Sequence, residues 1–240
     1  MIPAYNEERS IGKVILQVKK ERILPIVVDD GSTDRTYEIA RKSGAVVIRH
    51  KVNKGKGEAL KTGFKHIIKN CRDVKYVVVI DADMQYDPRD APKLVKALKE
   101  GYDYVTGYRN WKRDVPFRHR FANFIWRVTF NLLFGTNMKD TNCGYIGLNR
   151  RTMKMMSKRS YGGYIIENVM LAHVVEKGLK VKQVPVKVSY PHRRDVVKGS
   201  RFFLGCLIFI VEEGLRFRFG IDLKLYEKIK RMRIIFTKGK

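Results

Sequence analysis

The stretch Tyr76-Val77-Val78-Val79-Ile80-Asp81-Ala82-Asp83-Met84-Gln85 runs a block of β-branched residues straight into an acidic cluster. A short continuous apolar run that stops at polar residues reads as a buried strand, and the acids then lie at its carboxyl end. Pro25 to Asp30 and Ala45 to His50 have the same character, and each of the three runs is followed by a polar helical pattern. This alternation predicts an α/β fold with a mostly parallel central sheet flanked by helices. Ligands of such sheets bind beyond the carboxyl ends of the strands, so Asp29-Asp30 and Asp81-Ala82-Asp83 should face one cleft. Met1-Ile2-Pro3 supplies only the tail of a first strand, which predicts either a stunted strand or a start placed too late.

The remaining chain reads differently. A basic amphipathic segment runs from Pro116 to Phe134, then come a helix around Ile166 to Lys177, a strand from Val181 to Val188 and an aromatic-rich segment from Ser200 to about Phe219. Phe117, Phe121, Phe124, Ile125, Val128 and Leu132 recur at spacings of three and four, with Arg118, His119, Arg120 and Arg127 mostly off that line. Phe203, Leu207, Ile210 and Arg216-Phe217-Arg218 repeat the theme. Core packing explains most such stripes, yet an apolar face with a basic border also suits lipid headgroups. With 50 Lys+Arg against 24 Asp+Glu, a formal charge of +26, an anionic membrane surface is the expected partner.

Charge alone would also suit a nucleic-acid-binding protein, but no recognised motif is present and the basic residues are spread along the chain, so nucleic acid is set aside. The longest apolar run, Phe202 to Val211, is too short to cross a bilayer. The first residues reach Pro3 and the charged Asn6-Glu7-Glu8-Arg9 without a secretory pattern. Cys71, Cys143 and Cys206 are odd in number and match no ligand spacing, so a reducing compartment is expected, without disulfides or zinc. The location expected is cytoplasmic, peripheral on the cytoplasmic face of a membrane.

Asp81-x-Asp83-x-Gln85 offers oxygen donors at alternate positions past a strand, a pattern suited to Mg2+ or Mn2+ rather than zinc. A solvated turn is the plain alternative, since Asp87-Pro88 is ordinary loop chemistry. Gly55-Lys56-Gly57 opens a helix whose N–H groups suit an anion, but it lacks the Walker spacing. Asp30 and Asp34 also read as helix caps for the segment from Arg35.

In this order, Pro3-Ala4-Tyr5-Asn6-Glu7, Val28-Asp29-Asp30-Gly31-Ser32-Thr33-Asp34 and Asp81-Ala82-Asp83 resemble the nucleotide-binding half of the family 2 glycosyltransferases. Asn53-x-Gly55-Lys56-Gly57-x-Ala59-Leu60, Gln85 and Gly107-Tyr108-Arg109 are similar to the dolichyl-phosphate mannose synthases and their polyprenyl-phosphate relatives in that family. The resemblance implies a single GT-A catalytic domain over 1–205, with a nucleotide-binding half to about 110 and an acceptor half beyond it, followed by basic amphipathic C-terminal helices over 206–240.

It also implies a reaction: inverting transfer of a hexose, mannose from GDP-mannose foremost, to dolichyl or polyprenyl phosphate with Mg2+ or Mn2+. UDP-glucose, or a glycan or lipid hydroxyl acceptor, is the alternative. Pro3, Ala4, Tyr5, Glu7, Asp29, Asp30, Lys56, Asp81, Ala82 and Asp83 are then the nucleotide-sugar residues, and Asp81, Asp83 and Gln85 the metal ligands. Arg109, Arg120, Arg194 and Arg201, read as lying on later loops, are the acceptor-phosphate residues. Asp83, Arg109 and Arg194 carry catalysis in this picture. The family's R-x-x-G-x-S-K pattern is stretched here into Arg194 to Arg201, and its Asp-x-x-Ser-Gly-Phe loop reads Asp140-Thr141-Asn142-Cys143-Gly144-Tyr145. Cys143 is expected to be structural, because direct displacement needs no enzyme nucleophile. Glu167 is either a base for a hydroxyl acceptor or an acid complementing a helix N-terminus.

Overall fold

The computed structural model describes residues 1–109, 117–158, 165–189 and 199–224, without the side chains of 117–119 and 199–202. The strands are β1 (Ile2–Ala4), β2 (Ile26–Asp29), β3 (Val46–Arg49), β4 (Tyr76–Val79), β5 (Tyr104–Arg109), β6 (Ile146–Asn149) and β7 (Val181–Val186). The helices are α1 (Ile11–Lys20), α2 (Thr36–Lys42), α3 (Lys56–Asn70), α4 (Ala91–Lys99), α5 (Phe117–Phe134), α6 (Arg150–Met156), α7 (Ile166–Glu176) and α8 (Gly199–Phe219).

Parallel pairing in the order β1-β2-β3 forms one sheet, and β4-β6-β5-β7 forms a second. Met1 N–H donates to the Val78 carbonyl at 2.7 Å and Ile80 N–H to the Met1 carbonyl at 3.2 Å, the pattern of a parallel ladder. β1 therefore runs alongside β4, and the carboxyl ends of β1, β2 and β4 point the same way. The α/β reading holds, with one amendment: β6 is antiparallel to both β4 and β5. β3 also departs from the expected buried strand, being partly exposed where it ends the sheet.

One apolar cluster packs Ile2, Ile11, Ile15, Val27, Leu94 and Tyr145 around the sheet. A larger one gathers Leu60, Phe64, Tyr104, Phe130, Met153 and Met170 between α3, α5, α6 and α7. α5 carries large apolar side chains on more than one face. Trp126, Phe130 and Phe134 face the core, whereas Phe121, Phe124, Val128 and Leu132 of the stripe noted in the sequence are exposed and its Ile125 is half-buried.

α8 behaves in the opposite way over its first half. Ile210 is buried, and Phe203 stacks on Trp126 with centroids 5.5 Å apart, so these two residues serve the core rather than an open face. α8 starts at Gly199, so the boundary expected between 205 and 206 falls inside one helix packed on α5 and α7. Among the described residues no helix is long and apolar enough to cross a membrane.

Candidate active site

Two loops meet beyond β1 and β2. Asn6, at φ 55°, turns the chain after β1. Its N–H donates to Ser32 Oγ at 2.9 Å, and its Oδ1 accepts from Thr33 N–H at 2.9 Å. Glu7 N–H donates to Thr36 Oγ1 at 2.7 Å and Glu8 N–H to Asp34 Oδ2 at 3.1 Å. Asp34 Oδ1 also accepts from Thr36 N–H at 3.0 Å, at the start of α2, so its task is the helix entry proposed above. Burial opposes the charged form of Asp34, but hydrogen bonds from Thr36 and Glu8 outweigh it and lower its pKa.

On this hydrogen-bonded base Tyr5 is 44% exposed, open to stacking by a planar group. Asp29 is fully buried, with Oδ1 accepting from Ser32 N–H at 3.0 Å. Its Oδ2 lies 3.1 Å from Arg49 Nε yet accepts no hydrogen bond among the described residues. A buried acceptor left without a donor at a strand end is a place for a ligand N–H or O–H. Asp30 is different, and here the ligand-binding expectation gives way to a structural task. Its Oδ1 accepts from His50 Nδ1 at 2.6 Å and Lys54 N–H at 2.9 Å, its Oδ2 from Gly55 N–H at 2.7 Å. Both oxygens shape the turn that delivers α3.

Lys56 opens α3 after Gly55, whose φ of 93° suits glycine. Its Nζ sits 2.6 Å from Asp81 Oδ1 and 2.6 Å from Glu167 Oε1, joining β4 to the first turn of α7. Burial works against the ammonium, but the two carboxylates prevail and raise its pKa, so Lys56 stays charged. Gly144 closes the other side, where a Cβ would stand 2.6 Å from Asp81 Oδ2. Ala82 is buried, and Asp83 Oδ1 accepts from Gln85 N–H at 3.0 Å across Met84, which adopts φ 64°. Ser189 N–H donates to the Gln85 carbonyl at 2.9 Å, tying this turn to the chain after β7.

Arg109 ends β5 and grips Asp140 with two hydrogen bonds, Nε to Oδ2 at 2.7 Å and Nη2 to Oδ1 at 2.9 Å. Asp140 is fully buried and also accepts from Asn142 N–H at 3.0 Å. Arg109 thus orders the loop 140–145, a role its sequence position did not disclose. Gly144 N–H donates to Tyr86 Oη at 2.9 Å, and Asn168 hydrogen-bonds Asn142. Burial and the nearby Asp140 push the Cys143 thiol up to about 12, which leaves it protonated and structural. Arg120 is exposed on α5, Arg194 lies outside the described residues, and Arg201 lies in α8 with its side chain outside the description.

Residues 1–163 match glycosyl transferase family 2. The chain belongs to that family. Uncharacterized protein MJ1222 of Methanocaldococcus jannaschii is 36% identical over 79% of this chain and 80% of its own. A dolichyl-phosphate hexose transferase of Haloferax volcanii is 31% identical over 85% of this chain and 87% of its own. Among solved structures, glucosyl-3-phosphoglycerate synthase of Mycobacterium tuberculosis with Mn2+, UDP and glucosyl-3-phosphoglycerate is 25% identical, with a TM-score of 0.64. That match covers 88% of this chain and 78% of the other.

As a family 2 glycosyltransferase of GT-A type, the chain is of the class that transfers sugars. Tyr5 and Glu7 follow β1, Asp29 ends β2, and Asp81 and Asp83 follow β4, so all five stand at the carboxyl ends of strands that run the same way, and Lys56 reaches Asp81 from the start of α3. Among the described residues no three His, Cys, Asp or Glu side chains converge as a closed cation site. Asp81, Asp83 and Gln85 supply oxygen donors only, which fits a hard cation sharing its coordination with phosphate oxygens and water. Sequence reading missed Arg49, Gly144, Asn142 and Asn168 as parts of this region. Gly144 stood inside a quoted motif, but its need to be small came from Asp81, far away in the chain.

Proposed function

We propose that this glycosyltransferase moves a hexose from a nucleoside diphosphate sugar to a polyprenyl phosphate, with inversion, and that GDP-mannose is the donor. One observation carries the acceptor class: Glu167, the candidate base for a hydroxyl acceptor, is ion-paired to Lys56 at 2.6 Å. Taking a proton there would break that pair. A hydroxyl acceptor needs such a base, whereas a phosphate monoester, with a second pKa of about 6, is already ionised near neutral pH. The Haloferax volcanii relative, named for dolichyl phosphate and a hexose, supports this reading.

The acceptor phosphate oxygen attacks the anomeric carbon from the face opposite the leaving group, and the bond from that carbon to the donor diphosphate breaks. Its electron pair leaves with the nucleoside diphosphate. Tyr5 and Asp29 hold the nucleoside, while Lys56 offers positive charge beside the diphosphate. Arg109 orients the acceptor loop through Asp140, and Arg120, Arg194 and Arg201 are proposed to draw in the acceptor phosphate. A bound Mg2+ or Mn2+, held by Asp81, Asp83 and Gln85, would supply charge stabilisation for the departing diphosphate. The Mn2+ and UDP in the Mycobacterium tuberculosis structure support that assignment and make UDP-glucose the second donor to test.

Incubation with labelled GDP-mannose or UDP-glucose, dolichyl phosphate and Mg2+ or Mn2+ should carry label into the organic extract, from GDP-mannose above all. Label left in water with both donors would overturn the proposal.

The site of action proposed is the cytoplasmic face of a membrane. The exposed Phe121, Phe124, Val128 and Leu132 of α5 lie near Arg120 and Arg127, whose guanidinium sits 5.6 Å from the Phe124 ring. Such a face inserts apolar side chains while the cations meet anionic headgroups. The protein should sediment with anionic vesicles at low salt, and Phe121→Glu with Leu132→Glu should reduce the bound fraction at least about tenfold. Wild-type protein left in the supernatant at low salt would refute membrane docking.

A further inference from the structure

We infer that Lys56 is a resident counter-cation of the ligand-free site, placed so that a divalent cation gains Asp81 only when a diphosphate arrives to receive the lysine. This rests on the proposed reading of Asp81 and Asp83 as cation ligands.

Lys56 is not a loosely placed surface lysine. Asp30 fixes the backbone before it through Lys54 N–H and Gly55 N–H, and His50 Nε2, 2.9 Å from Thr62 Oγ1, braces Asp30 against α3. The ammonium then reaches two carboxylates from different elements, each at 2.6 Å. Lys56 Nζ holds Asp81 Oδ1, and Gly144 approaches Oδ2 so nearly that a Cβ there would stand 2.6 Å from it.

The electrostatics give this arrangement a direction. Asp81, Glu167 and Lys56 together carry one net negative charge, so the carboxylates are largely compensated before any ligand enters. A dication approaching Asp81 alone meets a fixed ammonium at hydrogen-bonding distance from its own ligand, and repulsion between like charges at such range is strong in a half-buried site. A diphosphate changes the balance. It offers Lys56 a replacement anion, so the lysine can leave Asp81 while Glu167 keeps hold of it, and Asp81 becomes available. Diphosphate and cation binding are then coupled, each raising the affinity of the other by the same factor.

A purely structural ion pair, tying α7 to β4, makes the opposite forecast: breaking it would loosen Asp81 and weaken cation binding or leave it unchanged. Mn2+ binding by the full chain, read from the loss of the free-ion electron paramagnetic resonance signal, separates the two without any turnover. Wild-type protein should bind Mn2+ weakly alone and much more tightly with GDP or UDP. Lys56→Gln should bind Mn2+ without nucleotide roughly tenfold or more tighter than wild type, and should lose most of the nucleotide enhancement.

Lys56→Arg keeps the charge and should leave the nucleotide-free Mn2+ affinity weak, as in wild type. Lys54→Gln removes the same charge from an exposed neighbour and should change little. Circular dichroism monitors folding, and Lys56→Met is the second neutral variant should the glutamine protein not fold. Equal nucleotide-free affinity in wild type and both neutral variants would overturn the inference while leaving the cation reading intact, as would equal tightening by Lys54→Gln. Failure of the wild type to take up Mn2+ even with GDP and UDP would remove both.

Discussion

Asp83→Ala is expected to lower kcat on the order of 10²–10³-fold, the loss typical when one preorganised charge stabiliser is removed from a reacting centre. Asp83 stands in the turn after β4, where its Oδ1 accepts from Gln85 N–H at 3.0 Å. The turn keeps other supports, since Ser189 N–H holds the Gln85 carbonyl and Tyr86 bridges to Val188. Truncation therefore removes the carboxylate and leaves the strand and its anchor in place. Circular dichroism should match wild type while labelled lipid product falls. A variant within about tenfold of wild type would take Asp83 out of the chemistry. Asp81→Asn makes a useful companion, because it also weakens the hold on Lys56 at 2.6 Å, whereas Asp83→Ala leaves that pair intact.

The second large effect is on stability. Asp140→Ala should cost about 3–5 kcal/mol, because it takes the compensating carboxylate away from the largely buried Arg109 guanidinium. Asp140 is fully buried and accepts from Arg109 Nε, Arg109 Nη2 and Asn142 N–H, so one substitution removes the acceptor of several donors. Burial alone would lower the Arg109 pKa, but Asp140 outweighs it and holds it well above the usual guanidinium value. Proteins of this size have on the order of 5–15 kcal/mol of total stability, so a denaturant titration should show a large fall in midpoint.

Asp140→Ala combined with Arg109→Met should be less destabilised than Asp140→Ala alone, because the double variant removes the buried charge as well. A loss under about 1 kcal/mol in the single variant would show that water satisfies Arg109 and that the pair does not hold the loop. Asp140→Ala should also raise KM for the polyprenyl-phosphate acceptor more than it lowers kcat, which separates loop order from chemistry, since the loop 140–145 contacts both Tyr86 and Asn168.

Much of the fold was legible locally. The runs read as Pro25 to Asp30 and Tyr76 to Asp81 emerge as β2 and β4, trimmed by one or two residues at their ends. Continuous Val/Ile runs carry that information because both faces of a central strand are buried. β6 escaped notice because four residues, Ile146-Gly147-Leu148-Asn149, give no period, and its antiparallel insertion between β4 and β5 depends on pairing over long sequence separations. β3 was read as buried from its composition, yet its exposure follows from its place at the end of the sheet. α5 shows the ambiguity of a helix with apolar residues on more than one face: periodicity detected a stripe, but which face met the core was settled by Trp126, Phe130 and Phe134.

What the sequence determined by itself was the alternation of strands and helices, the arrival of acidic residues at strand ends, and the order of motifs that place the chain among the family 2 glycosyltransferases. Each of these is written in neighbouring residues, through period and composition. The division of labour among the acids was decided only by the tertiary structure. Adjacent Asp29 and Asp30 differ, one with an oxygen that accepts no hydrogen bond among the described residues and one consumed by the turn 50–55. Lys56 finds Glu167 across 111 positions of chain. Partners so far apart meet only after the sheet and α7 have packed, because a long side chain's hydrogen bonds depend on where distant backbones end and carry no local periodicity.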